Sequence, residues 1–201
     1  MPISGIVLAG GKSSRMGRPK SLLPIGGTSE TFLDRVTHTL AHAGIDDIVV
    51  VVGADAAAIR AGSRHVVGVR IVDNPDYERG QLTSLLAGLR VIDVTRASAI
   101  LVTLTDVPLV SVATVRALMK AHEDRGALIV RPVSNGRHGH PVIFGRPLFA
   151  ELQRADPSLG AKPIVRAHAA EMIEVTVNDE GAFTDIDTPE DYERIFGPLT
   201  T

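Results

Sequence analysis

Leu8-Ala9-Gly10-Gly11-Lys12-Ser13-Ser14-Arg15-Met16-Gly17-Arg18-Pro19-Lys20 sets the frame for the rest of the chain. It directly follows Ile3 to Ala9, an apolar run that reads as a first strand. Its glycines permit close backbone approach and positive φ, so successive N–H groups can converge on phosphate oxygens. Lys12, Arg15, Arg18 and Lys20 add four cations to a chain whose formal net charge is -2. Such a local concentration of positive charge calls for a polyanion. Two familiar phosphate loops do not fit. A Walker A loop needs glycine five residues before Gly11, where Ile6 stands, and the dinucleotide fingerprint needs Gly-x-Gly-x-x-Gly opening a helix at once.

Outward from this loop, short β-branched runs alternate with segments of helical period, the pattern of an α/β protein with a mostly parallel sheet covered by helices. Phe32, Leu33, Val36, Leu40 and Ala43 recur at helical spacing, and Gly44 stands where a left-handed helix stop is expected. Ile48 to Val52 is apolar at every position and predicts a central strand buried on both faces. A short helix from about Asp55, a strand near Val69 to Val72, a helix from about Gln81, a buried strand Ala99 to Leu104 and a helix through Val112, Val115, Leu118 and Met119 follow. Strands around Leu128 to Val133 and Val142 to Phe144 flank a polar turn and predict an antiparallel excursion. The remainder reads as a helix near Pro147 to Ala155, a looser one after Pro163, a strand near Ile173 to Val177 and a helix from Pro189. With neither repeat nor linker, residues 1–201 are expected to form one domain.

Composition narrows the function classes. At 44% apolar and 22% charged residues the chain is an ordinary globular protein with a real core. Zero cysteines exclude a disulfide framework, a thiolate metal site and a cysteine nucleophile. Without a basic global field, and with 3% aromatic residues and no Trp, nucleic acid is not an expected partner. The longest aliphatic run, Ile48 to Val52, is far short of a membrane span, and no positive segment precedes the apolar amino-terminal stretch, so a cytoplasmic protein is expected, with no membrane partner.

The pattern Leu-Ala-Gly-Gly-x-Ser-x-Arg-Met-Gly-x-x-Lys resembles the signature loop of the MobA/MocA-like nucleotidyltransferases, which attach a nucleotide to the molybdenum cofactor. The resemblance continues in Gly80-Gln81-Leu82-Thr83-Ser84-Leu85, Asp106-Val107-Pro108, Gly139-His140-Pro141 and Asp185-Ile186-Asp187-Thr188-Pro189-Glu190-Asp191, in the family's order. It implies a three-layer, Rossmann-like GT-A fold, an NTP donor, Mg²⁺ and release of pyrophosphate. The implied partners are the NTP and a molybdopterin-type molecule, with a molybdoenzyme or its chaperone receiving the product.

On that resemblance Leu8, Ala9, Gly10, Gly11, Lys12, Ser13 and Ser14 hold the nucleotide, with Gly80, Thr83 and Ser84 at base or ribose. Arg15 and Lys20 are the catalytic cations, Lys20 against the α-phosphate where charge builds in the transition state. Mg²⁺ takes only one or two protein carboxylates beside phosphates. Asp106, beyond the end of a buried strand, is the first candidate, and Asp187 is the second by match to the family's motif. Asp185 is a rival for that second place, and helix capping explains much of the same cluster. His138 and His140, on the polar turn with Arg137, are candidate acceptor contacts. No general base is needed if the acceptor is a phosphate already ionised near neutrality.

In these relatives Leu-Ala-Gly-Gly accompanies guanine, which points to GTP, whereas the segment from Gly80 to Ser84 and the Gly-His-Pro turn resemble the cytidylyl branch, which points to CTP. The nucleotide stays open between the two. Alternatives to molybdopterin transfer are a sugar- or other metabolite-phosphate nucleotidyltransferase and a non-catalytic, NTP-binding cofactor chaperone.

Overall fold

The computed structural model describes residues 2–62 and 68–199. The expected domain span also takes in residues 1, 63–67, 200 and 201, which lie outside the described residues. The strands are β1 (Ile3–Ala9), β2 (Ile48–Val52), β3 (Val69–Asp73), β4 (Ala99–Leu104), β5 (Ile129–Ser134), β6 (Arg137–His138), β7 (Val142–Gly145) and β8 (Met172–Thr176). The helices are α1 (Phe32–Ala43), α2 (Ala56–Gly62), α3 (Gln81–Leu89), α4 (Val112–Arg125), α5 (Phe149–Arg154), α6 (Lys162–Ala167) and α7 (Pro189–Phe196).

Among the described residues the eight strands form one sheet in the order β3-β2-β1-β4-β7-β5-β6, with β8 also pairing β5. Strands β1 to β4, β5 and β8 run one way; β7 and the two-residue β6 run the other. The expected antiparallel excursion is therefore present. Its turn is Asn135-Gly136, both at positive φ (50° and 76°), the conformation a tight two-residue hairpin requires.

The alternation of side chains along each strand divides the core into two layers. Val7, Val50, Val52 and Leu101 face α1 and α4, packing on Leu33, Val36, Leu40, Val115 and Leu118. Ile6, Val49, Val51 and Ile100 face the opposite way, onto Leu82, Leu85, Leu86 and Leu89 of α3 and onto α5 and α6. Because both faces of β2 are covered, every residue in Ile48–Val52 is buried, as its unbroken apolar run predicts. Helix α1 starts on a capping box, Thr31 with Asp34, and ends on Gly44 at φ 103°.

A third, smaller cluster lies outside the layers. Met16, Leu23, Ile25, Phe32, Ile186 and Tyr192 bury one another, with the Tyr192 hydroxyl donating to the Pro24 carbonyl at 3.0 Å. It joins the glycine-rich loop to α7. Among the described residues no helix is long and apolar enough to cross a membrane.

Candidate active site

From β1 the chain goes outward to β2 and β3, then returns to place β4 on the other side of β1. Open α/β sheets bind ligands beyond the strand ends at such a reversal. A cavity of about 230 Å³ lies there, lined by Leu8, Ala9, Gly10, Gly11 and Ser13 after β1 and by Leu104, Thr105 and Asp106 after β4, with Lys20 and Ser84.

The loop holds its shape through Ser13. This residue adopts φ +48°, and its carbonyl accepts the N–H groups of Met16 (3.0 Å) and Gly17 (3.1 Å). Its hydroxyl accepts the backbone N–H of Lys20 at 3.1 Å. Met16, 5% exposed, anchors the loop's far side in the third cluster. Lys20 is thus aimed by two local devices, a hydrogen-bonded turn and a buried thioether.

The Lys20 ammonium lies 3.0 Å from Asp106 Oδ2 and also contacts Asp187 Oδ1. Burial disfavours its charge, but the two carboxylates outweigh burial and hold its pKa above the usual lysine value. Asp187 accepts Arg15 Nη2 at 2.8 Å as well, and its pKa falls through the Lys20 hydrogen bond against the opposing effect of burial. Thr188 and Asp191 form the capping box of α7, which leaves the Asp187 carboxylate free to face the cations. Asp185 differs: burial first, and then the charge of Asp106, push its pKa up.

Among the described residues Asp106 Oδ1 is buried with no hydrogen-bond partner. An unpaired carboxylate oxygen beside a second carboxylate is the donor set a hard divalent cation takes, so the residues present fit a magnesium-type ion. Among the described residues no group of three or more His, Asp or Glu side chains is gathered to hold a metal, so the remaining ligands would come from phosphate and water.

The other expected site residues divide. Ser84 lines the cavity, and Asn74 Nδ2 donates to both Thr83 Oγ1 (2.8 Å) and Ser84 Oγ (2.9 Å). The Thr83 hydroxyl turns back to the carbonyls of Asp76 and Gly80. Gly80 stands at the start of α3 and lies outside the lining. Lys12 pairs with Glu78 at 2.6 Å, and Lys12, Ser14 and Arg15 are exposed and also outside the lining. His138 and His140 line a second cavity, of about 490 Å³, which shares Leu8, Gln81 and Leu104 with the first. Burial lowers the His140 pKa, and its Nδ1 has no partner.

Sequence reasoning did not single out Asp55, Ile59 and Tyr77, which also line the first cavity. A signal was present: Gly53-Ala54-Asp55 follows β2 just as Asp106 follows β4. A Cβ on Gly53 would stand 2.6 Å from the Gly10 carbonyl oxygen and 2.7 Å from Tyr77 Cγ, so only glycine lets this turn close over the loop.

Comparison with known proteins identifies the family. The chain is 32% identical to the nicotine blue oxidoreductase of Paenarthrobacter nicotinovorans, covering 96% of each chain. It is 28% identical to the molybdenum cofactor cytidylyltransferase of Escherichia coli K12, over 94% of this chain and 93% of the relative. The crystal structure of Rv0371c from Mycobacterium tuberculosis matches with a TM-score of 0.83 at 30% identity over 98% of both chains. A second structure of that protein, a complex with manganese, matches with a TM-score of 0.75 at 28% identity over 98% of both chains. The family model described as the MobA-like NTP transferase domain matches residues 5–172. The chain belongs to the MobA-like NTP transferase family of nucleotidyltransferases.

Proposed function

We propose that residues 1–201 act as one catalytic domain that transfers a nucleotidyl group from a magnesium-bound NTP to the terminal phosphate of a small acceptor of the molybdopterin type, releasing pyrophosphate. The observation that carries this reading is the meeting of Lys20 with Asp106 and Asp187 at the mouth of the glycine-loop cavity. Phosphoryl chemistry of this kind needs positioning and charge stabilisation rather than covalent help from the protein.

The loop from Gly10 to Ser13 offers backbone N–H groups to the β- and γ-phosphates, and Arg15 adds an exposed guanidinium paired with Asp187. Lys20, already charged and oriented, faces the α-phosphate and stabilises the extra negative charge of the transition state. Asp106 and Asp187 would hold a divalent ion, which when bound neutralises the triphosphate and the departing pyrophosphate. Gln81, on the wall common to both cavities, separates nucleotide from acceptor. His138 and His140 in the second cavity support its use by the acceptor. An acceptor phosphate with a second pKa of about 6 arrives largely ionised, so no base is required.

The manganese complex of the Mycobacterium tuberculosis relative supports a divalent ion, and the cytidylyltransferase relative supports a pterin-linked acceptor. The test is pyrophosphate release by the full chain with Mg²⁺, molybdopterin and each of the four NTPs. Release with GTP or CTP is expected. An NTP that binds, shown by a raised melting temperature, without any pyrophosphate release would favour the non-catalytic chaperone instead.

A further inference from the structure

The second cavity carries a charge pattern that nucleotide binding does not use. Its floor is apolar: Leu82 and Leu85 of α3 and Phe144 of β7 are each no more than 4% exposed. Its rim is cationic. Arg131, Lys162 and Arg166 line it together with His138, and among the described residues no carboxylate does.

Arg131 and His138 already face a carboxylate. Glu174 on β8 accepts Arg131 Nη2 at 2.5 Å and lies 3.0 Å from His138 Nε2. Lys162 and Arg166 differ. They stand one turn apart on α6, on the same helix face, with Val165 lining the cavity beside them and Ile164 buried in the core below. Neither makes a side-chain hydrogen bond or ion pair among the described residues. Two exposed, unmatched cations at the lip of an apolar chamber form a site for an anion attached to an apolar body. Neither Lys20 nor Asp106 lines this chamber, so its anion is not the phosphate that would face them.

We infer that the acceptor is a ring-sized molecule whose ring face packs on Leu82, Leu85 and Phe144 and which carries two anionic ends: the phosphate that takes the nucleotidyl group, and a second anionic group held by Lys162 and Arg166. This deepens the nucleotidyl-transfer reading and rests on it for the phosphate end alone. The volume of about 490 Å³ suits a fused-ring body.

The test uses two probes, naphthyl phosphate and its analogue with a carboxylate on the ring remote from the phosphate. Both are titrated calorimetrically into the full chain with Mg²⁺ and a non-hydrolysable NTP analogue filling the first cavity. Wild type should bind the carboxylated probe about tenfold more tightly, the gain expected of one charge-assisted contact. In Lys162→Ala/Arg166→Ala that ratio should fall to about one, with naphthyl phosphate and NTP-analogue affinities unchanged. Equal binding of both probes by wild type, or a ratio preserved in the double variant, would overturn the inference. Failure of the NTP analogue to bind would instead count against nucleotidyl transfer, while the probe ratio without analogue still decides the chamber's preference.

Discussion

The backbone N–H of Ile186 donates to the backbone carbonyl of Asp106 at 2.8 Å. This bond helps hold the segment before α7 against the turn after β4, where the carboxylates of Asp106 and Asp187 both contact the Lys20 ammonium.

Lys20→Ala should therefore lower turnover by about 10²–10³-fold, the scale of losing one positioned transition-state donor. The fold should persist, because α7 and the loop keep their own anchors. Pyrophosphate release under saturating NTP measures the loss. Activity within about twofold of wild type would remove Lys20 from the chemistry.

Asp106→Asn and Asp187→Asn should each raise the concentration of Mg²⁺ or Mn²⁺ needed for half-maximal activity, Asp106→Asn more strongly because its Oδ1 has no other partner. Metal titrations of the two variants are the measurement. Unchanged metal dependence in both would move the ion elsewhere, with Asp185 the next residue to substitute.

A Cβ built on Gly10 would stand 3.1 Å from Ser84 Oγ, so Gly10→Ala must displace the Ser84 hydroxyl by a few tenths of an ångström. The substitution touches the nucleotide cavity and little else. Its expected result is a shift of the GTP-to-CTP ratio of kcat/KM toward CTP, in line with the cytidylyl-like segment from Gly80 to Ser84. A ratio identical to wild type would show that position 10 does not read the base.

Most of the fold was legible because its signals are local and redundant. Ile3 to Ala9, Ile48 to Val52 and Ala99 to Leu104 are strands in the structure with those bounds, since short runs dominated by aliphatic and β-branched residues suit a doubly covered sheet. Lys20 and Asp106 were legible through motif and strand-end position. Tyr77 was not, because its place on the cavity wall depends on how the turn at Gly53 packs over Gly10, a contact between distant segments. Nor could spacing show that Lys12 would pair with Glu78 while Lys20 turned inward, a distinction made by the Ser13 turn and the Met16 anchor.

Met16→Ala should destabilise the protein by about 2–5 kcal/mol, nearer the lower figure because a loop can partly collapse into the space. It should also raise KM for the NTP more than it lowers kcat, since the loop loses its support and Lys20 keeps its charge. Urea unfolding and steady-state kinetics on the same preparation check both. A stability loss with unaltered KM would show that the loop is held by Ser13 alone.

Asp179 joins two elements: its carboxylate accepts the N–H groups of Ser111 at the start of α4 (2.9 Å) and of Gly181 (3.2 Å), together with the Thr114 hydroxyl. Burial opposes its charge, but these hydrogen bonds outweigh burial and depress its pKa. A depressed pKa gives stability that is fully present above the unfolded value of about 3.9 and is lost as pH falls through the folded value. Asp179→Asn should thus cost about 1–2 kcal/mol near neutrality, with the gap to wild type closing below about pH 4. Thermal melts across that range measure it, and a gap constant down to about pH 2.5 would contradict the assignment.

The third cluster has a temporal corollary. Met16 packs with Ile186 and Tyr192, and Asp187 is a salt-bridge partner shared by Arg15 and Lys20. On the ribosome Met16 emerges long before Ile186 and Tyr192, so this cluster, and the contact of Asp187 with Arg15 and Lys20, can close only after α7 has emerged.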